Sequence, residues 1–192
     1  MTAKYARWLH IYGSMGSFAI VFFFAVTGLT LNHPLWFANQ QRTSTMKGAM
    51  EASWTNTASD DRVGKLEIVE YLRKTHGIQG AVDDFRIEAA ECDVAFKGPG
   101  YSADVLIDRP TGRYEITESR LGFTAIINDL HKGRDSGEAW KWFIDVSAVL
   151  LTFVSATGLV LIWFVHRHRV AGLLSLAAGC VLTYLLYAIC VP

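Results

Sequence analysis

The sequence lacks several things, and each absence narrows what the chain can be. It has no surplus of positive charge: 18 Lys and Arg balance 18 Asp and Glu. No global basic surface therefore exists to hold a nucleic-acid backbone, and nucleic acid is excluded as a partner. Cysteine is scarce, with Cys92, Cys180 and Cys190 making an odd count and no C-x-x-C pair. A disulfide framework is excluded. The missing C-x-x-C-H string removes covalent c-type haem attachment, and no G-x-G-x-x-G or P-loop is present to cradle a dinucleotide or nucleoside triphosphate. Any redox cofactor here is bound non-covalently.

Charge is also missing from long stretches at both ends. No Lys, Arg, Asp or Glu occurs from Trp8 to Gln41, from Val146 to Val165, or from Val170 to Pro192. All 18 acidic residues lie between Glu51 and Asp145, and 14 of the 18 basic ones lie between Arg42 and Lys141. Each uncharged run meets the roughly 20 residues that about 30 Å of hydrocarbon asks of a helix. At 192 residues the chain has room for a few spans and one small domain. Lys4 and Arg7 ahead of the first run imitate a signal-peptide n-region. The apolar stretch exceeds a typical h-region, however, and no small-x-small site closes it, so a retained anchor is expected. The four remaining basic residues, Lys4, Arg7, Arg167 and Arg169, flank the first run and separate the last two. The positive-inside rule puts them in the cytoplasm, with residues 37–135 and the C-terminus outside.

The expected fold class is a mainly α membrane protein, with three transmembrane helices and a small extracytoplasmic α+β module between the first and second. Residues 1–36 hold the cytoplasmic N-terminus and first span. Residues 37–60, polar and without period, read as a linker. In 61–120, Leu66, Ile68, Val69 and Leu72 recur at helical spacing over 62–76, with Gly77 as the stop. Period-two runs follow, Phe85-x-Ile87, Val94-x-Phe96, Val105-x-Ile107 and Tyr114-x-Ile116, divided by the turn strings Gly98-Pro-Gly and Asp108-Arg-Pro-Thr-Gly112. An antiparallel meander of three or four strands is expected. Residues 121–135 give a short amphipathic helix on the membrane surface and a turn in which Asp135 and Glu138 resemble a cap. The second span is 136–166, and 167–192 form a cytoplasmic turn and the third.

Five of the six histidines sit at helix ends or on the surface helix: His10, His33, His131, His166 and His168. The sixth, His76, falls at a helix end where solvation or the helix dipole accounts for it. His33 follows His10 by 23 residues, about 34 Å along a continuous helix. With the first two spans antiparallel, His33 would approach His131, and His10 would approach His166 or His168, with His166 preferred as the inner ligand. Two neutral imidazoles on one haem iron make a six-coordinate centre suited to electron transfer, with no open position for a substrate. Gly13, Ser14 and Ser17 share the face of His10 and would accept a porphyrin or a closely packed helix. Taken singly, each histidine also reads as a belt residue beside Trp8, Trp36, Trp140, Trp142 and Trp163. The four-fold pattern favours ligation, since ionisable groups in membrane segments are costly. Asp145, one carboxylate inside the second span, could orient an imidazole, pair with Lys141, or reach water.

The order Arg7-Trp-Leu-His10, Thr27-Gly28, Asn32-His33, Leu130-His131-x-Gly133 and Thr157-Gly158-Leu-Val-Leu resembles the PepSY-associated transmembrane family, with residues 61–119 as a PepSY-like module. The resemblance covers nearly the whole chain. It implies haem b, one or two per chain, and similarity to ferric-siderophore reductases of the bacterial inner membrane. Axial ligands would then be His10, His33, His131 and one of His166 and His168. Larger relatives carry a further helix and a longer outer part, which here a second protomer or a partner would supply.

The function expected is transmembrane electron transfer from a cytoplasmic or quinol donor to an extracytoplasmic ferric chelate or redox protein, in contact with membrane lipid. The alternative is a non-enzymatic membrane anchor whose module binds a partner protein. Metal-ion transport is weaker, because the helix centres carry no histidine.

Overall fold

The computed structural model describes residues 2–34, 36, 40–57 and 59–192, and the side chains of all of these except 2, 3 and 166. Two compact units divide the chain: Met1–Phe23 with Phe143–Pro192, and Phe24–Trp142.

The first unit is helical. It holds most of α1 (Thr2–Asn32), most of α4 (Gly137–Ile162) and all of α5 (Arg169–Cys190). The spans Lys4–Asn32, Gly137–Ile162 and Arg169–Cys190 are long and apolar enough to cross a membrane. No proline interrupts them, so their backbone groups stay bonded within the helix as hydrocarbon requires. Their large apolar side chains, among them Phe18, Phe22, Val149, Leu182 and Ile189, point outward. Water would penalise such a surface, whereas lipid accepts it. Between α1 and α4 the approach is close: a Cβ on Gly13 would stand 3.2 Å from Val154 Cγ2. The stripe Gly13, Ser14 and Ser17 is therefore a helix-packing seam, and Ser17 is buried in it.

The second unit carries a five-stranded antiparallel sheet of β1 (Arg42–Ala49), β2 (Ala81–Ile87), β3 (Glu91–Gly98), β4 (Tyr101–Asp108) and β5 (Arg113–Arg120), in the order β1-β5-β4-β3-β2. Helix α2 (Lys65–His76) supplies Ile68 and Leu72 to its core. The alternating residues expected to face inward do so: Val94, Phe96, Val105, Ile107, Tyr114 and Ile116 are buried with Cys92 and Ala103. At the end of α2, Gly77 takes a left-handed φ of 67° and returns its N–H to the Arg73 carbonyl, the stop that glycine makes at no steric cost.

Three expectations need correcting. The segment read as a linker is ordered wherever it is described: β1 pairs with β5 along its whole length, and 3-10 turns form at Ala52–Trp54 and Asp60–Arg62. Residues 37–39 and 58 lie outside the described residues. β1 is an edge strand in which only Met46 packs on the core, so it shows almost no hydrophobic period. The turns are held from a distance by Arg109, whose guanidinium donates to the carbonyls of Thr55 and Glu88 and to the Asp60 carboxylate. Second, α2 starts at Lys65, and Leu66 is 70% exposed, so Ile68 and Leu72 anchor it. Third, Asp135 forms no cap. It sits at φ 52° in the left-handed region, while Glu138 pairs with Lys141 at 2.7 Å.

Ile68→Ala should cost about 2–5 kcal/mol of module stability through the cavity it leaves. Leu66→Ala should stay within about 0.5 kcal/mol. Hydrogen exchange of the β3, β4 and β5 amides in the full-length protein checks both.

Candidate functional site

His10 is held by α4. Its Nδ1 lies 3.1 Å from Thr157 Oγ1 and 3.3 Å from the Val154 carbonyl oxygen. A carbonyl only accepts, so Nδ1 carries the proton. The Thr157 hydroxyl already donates to that same Val154 carbonyl at 2.7 Å, which leaves its oxygen free to accept from the imidazole. The unprotonated nitrogen is then Nε2, the one available to a metal. Gly158 makes room for the ring: a Cβ there would sit 3.1 Å from His10 Cε1.

The same imidazole lines a cavity of about 390 Å³ together with His168, Gly158, Gly172, Leu161 and Val165. His168 belongs to the 3-10 turn His166–His168 between α4 and α5. Sequence reasoning preferred His166 as the partner of His10; the side chain of His166 lies outside the described residues, and among the described ones His168 lines the cavity with His10. Its lining is otherwise mostly apolar, with Leu161, Ile162 and Val165 beside the small residues Gly158, Ala171 and Gly172, and neutral imidazole is the donor type that a bis-histidine haem takes. Arg169 stacks on Trp163, 4.1 Å from the ring centroid, beside this turn.

In the second unit, α3 (Phe123–Lys132) carries His131 against the last turns of α1. Nδ1 of His131 is 2.5 Å from Thr27 Oγ1, and Thr27 is 2% exposed. The Phe24 ring meets the imidazole edge-on at 5.0 Å, and a Cβ on Gly28 would lie 3.7 Å from His131 Cε1. Asn128 accepts from Thr30 at 2.7 Å, and Asp129 accepts from the Gly100 N–H at 2.9 Å. These bonds fix α3 to both α1 and the β3–β4 turn. Gly133, at φ 68°, ends the helix just after His131.

His33, expected beside His131, stacks flat on Trp36 at 4.1 Å and 2°. Among the described residues no hydrogen bond or ring contact joins it to His131. His76 bonds Tyr114 Oη at 2.7 Å, a partner inside the module that explains it better than solvation. Lys141 pairs with Glu138, and among the described residues no ion pair joins it to Asp145, so of the three readings of Asp145 the one that pairs it with Lys141 is not realised. Asp145 is exposed on α4.

Thr27 and Thr157 were missed as site residues by sequence reasoning. A signal for them exists: Leu-His followed later by Thr-Gly-Leu occurs twice, as Leu9-His10 with Thr27-Gly28-Leu29, and as Leu130-His131 with Thr157-Gly158-Leu159. The sheet face away from α2 is also open, with a cavity of about 330 Å³ lined by Arg86, Asp93, Asp104, Leu106 and Glu115 among others.

Three apolar helices with an intervening α+β module define a transmembrane protein. A family model described as "Putative PepSY_TM-like" matches residues 4–192, and the chain belongs to that family. No curated protein and no solved structure matches it.

Burial, and then the neighbouring Lys132 charge, lowers the His131 pKa below 6.5. In the window between the lowered folded value and about 6.5 the unfolded chain binds more protons than the folded one. The stability His131 contributes is thus complete above that window and is lost as pH falls through it. The His131 ring C–H resonances should titrate with a midpoint below 6.5; a midpoint at or above that value contradicts the burial.

Proposed function

We propose that the chain is a haem-b electron-transfer protein of the bacterial inner membrane, reducing a ferric chelate or relaying electrons to a redox protein outside. The observation that carries this reading is the cavity shared by His10 and His168, with His10 already bonded through Nδ1. His10 and His168 would hold an inner haem, and His131 would serve an outer one, with His33 as its partner once released from its stack on Trp36. Haem b supplies a reversible one-electron couple, and bis-imidazole ligation keeps oxygen and substrate off the iron.

The chain's own residues do the rest. Neutral imidazoles would be the ligands, and the burial that disfavours protonation of His131 favours that form. Leu161, Ile162 and Val165 give the inner cavity an apolar wall. Lys4, Arg7, Arg167 and Arg169 orient their side of the membrane to the cytoplasm, where a soluble or quinol donor would act. The α/β unit then faces outward, and the open sheet face with Asp93, Asp104 and Glu115 offers a polar surface to an acceptor. One electron converts one chelated ferric ion to ferrous and weakens its hold on an oxygen-rich chelator.

Purified protein expressed with ample haem supply should show a Soret band that shifts on dithionite reduction. His10→Ala and His168→Ala should each abolish the inner haem. Two haems per chain in the parent, with one surviving in these variants and lost in His131→Ala, fits both pairs. A colourless protein leaves a membrane anchor with a partner-binding module.

A further inference from the structure

The twice-repeated string has a structural counterpart. Each imidazole rests on the Thr-Gly of the other copy: His10 on Thr157-Gly158 and His131 on Thr27-Gly28. We infer that Thr157 and Thr27 are positioning residues that fix the tautomer and rotation of these histidines, so that each presents a bare Nε2 to metal. The inference rests on the haem reading of the site.

The hydroxyl proton decides the direction of each bond. A helical Ser or Thr commonly donates to a carbonyl three or four residues back, and both threonines do, Thr157 to Val154 at 2.7 Å and Thr27 to Phe24 at 3.4 Å. With its proton committed at 2.7 Å, the Thr157 oxygen can only accept from the ring, and the ring nitrogen facing it is the N–H; Thr27, 2.5 Å from His131 Nδ1, is assigned the same direction by the matching Thr-Gly string. The bond also raises the basicity of the opposite nitrogen, the usual effect of an acceptor behind a ligating imidazole. A hydroxyl does this without adding a charge, which suits an apolar helix pair better than a carboxylate.

The glycine sets the depth at which the ring sits. At 3.1 Å from Cε1, a Cβ on Gly158 would force the ring of His10 to give way. At Gly28 the corresponding distance is 3.7 Å, ordinary contact, and the edge of Phe24 closes another side of His131. Thr sets the angle about the Cβ–Cγ bond, and Gly sets how far the ring sinks toward the helix.

The test uses the full-length protein in detergent, first without haem. Imidazole 15N NMR should find His10 and His131 as Nδ1–H tautomers in the parent and in Thr157→Ser and Thr27→Ser. Thr157→Val should release His10, and Thr27→Val should release His131, to a mixture of tautomers. With haem present, each Val variant should lose about 10–100-fold in haem affinity at its own site, and the Ser variants should recover it. Where haem stays bound, losing the acceptor should shift the oxidised-to-reduced ratio at fixed potential toward reduced; a tenfold change equals about 59 mV for one electron. An Nε2–H tautomer in the parent overturns the inference. So do Val variants that elute as the parent does and match it in tautomer, affinity and potential. A parent with no Soret band overturns the haem reading itself and the ligand-presenting role with it.

Discussion

Hydrocarbon offers no partner to a polar side chain, and the helical unit is arranged around that constraint. Its hydroxyls turn back on their own helices: Ser14 to Ile11, Ser17 to Ser14, Thr152 to Ala148, Ser155 to Leu151 and Ser175 to Ala171. An imidazole is less easily satisfied this way. His10 finds its acceptor on α4, where Thr157 has an oxygen to spare because its proton is already placed. The seam through Gly13, Ser17 and Gly158 brings the two helices near enough for that bond. The packing of small residues and the orientation of the histidine are thus one arrangement.

The α/β unit answers a different problem, a sheet with one covered face and too few residues to waste. α2 covers it with only two fully buried side chains, Ile68 and Leu72, so further order comes from polar anchors. Arg109 gathers the turns at Ala52–Trp54 and Asp60–Arg62 onto the end of β4. Tyr114 reaches across to β1, where a Cβ on Gly48 would collide with its ring, and bonds His76 at the end of α2. Burial and the hydrogen bond with Tyr71 push the Tyr114 phenol well above its usual range, so it stays neutral at any physiological pH. The same unit holds α3 from two sides through Asn128 and Asp129, and this places His131.

A redox reading and an anchor reading make different demands on these parts. An anchor needs the spans and the module, and for it the bond between His10 and Thr157 would be a satisfied polar contact between two helices. An electron carrier needs the control that bond gives over the ring, because the ligating nitrogen has to be bare and the ring fixed before the metal arrives. The open sheet face serves either, as a landing surface for an acceptor or for a partner protein.

Much of this was legible in the linear chain. Uncharged runs marked the three spans, because lipid tolerates no unpaired charge. Period-two alternation marked β2 to β5, because a one-sided core imposes it. Histidines at the helix ends marked the candidate ligands. β1 was hidden, since an edge strand with one core contact carries no pattern, and so were the turns at Ala52–Trp54 and Asp60–Arg62, which are held by an arginine some fifty residues away in sequence. Sequence alone therefore determined which segments are apolar and which residues could ligate, properties that each segment carries locally. Only tertiary structure decided that His168 shares a cavity with His10, that His33 stacks on Trp36, and that threonines stand behind His10 and His131. Those are contacts between distant segments, and helix packing, which no local pattern encodes, brings them together.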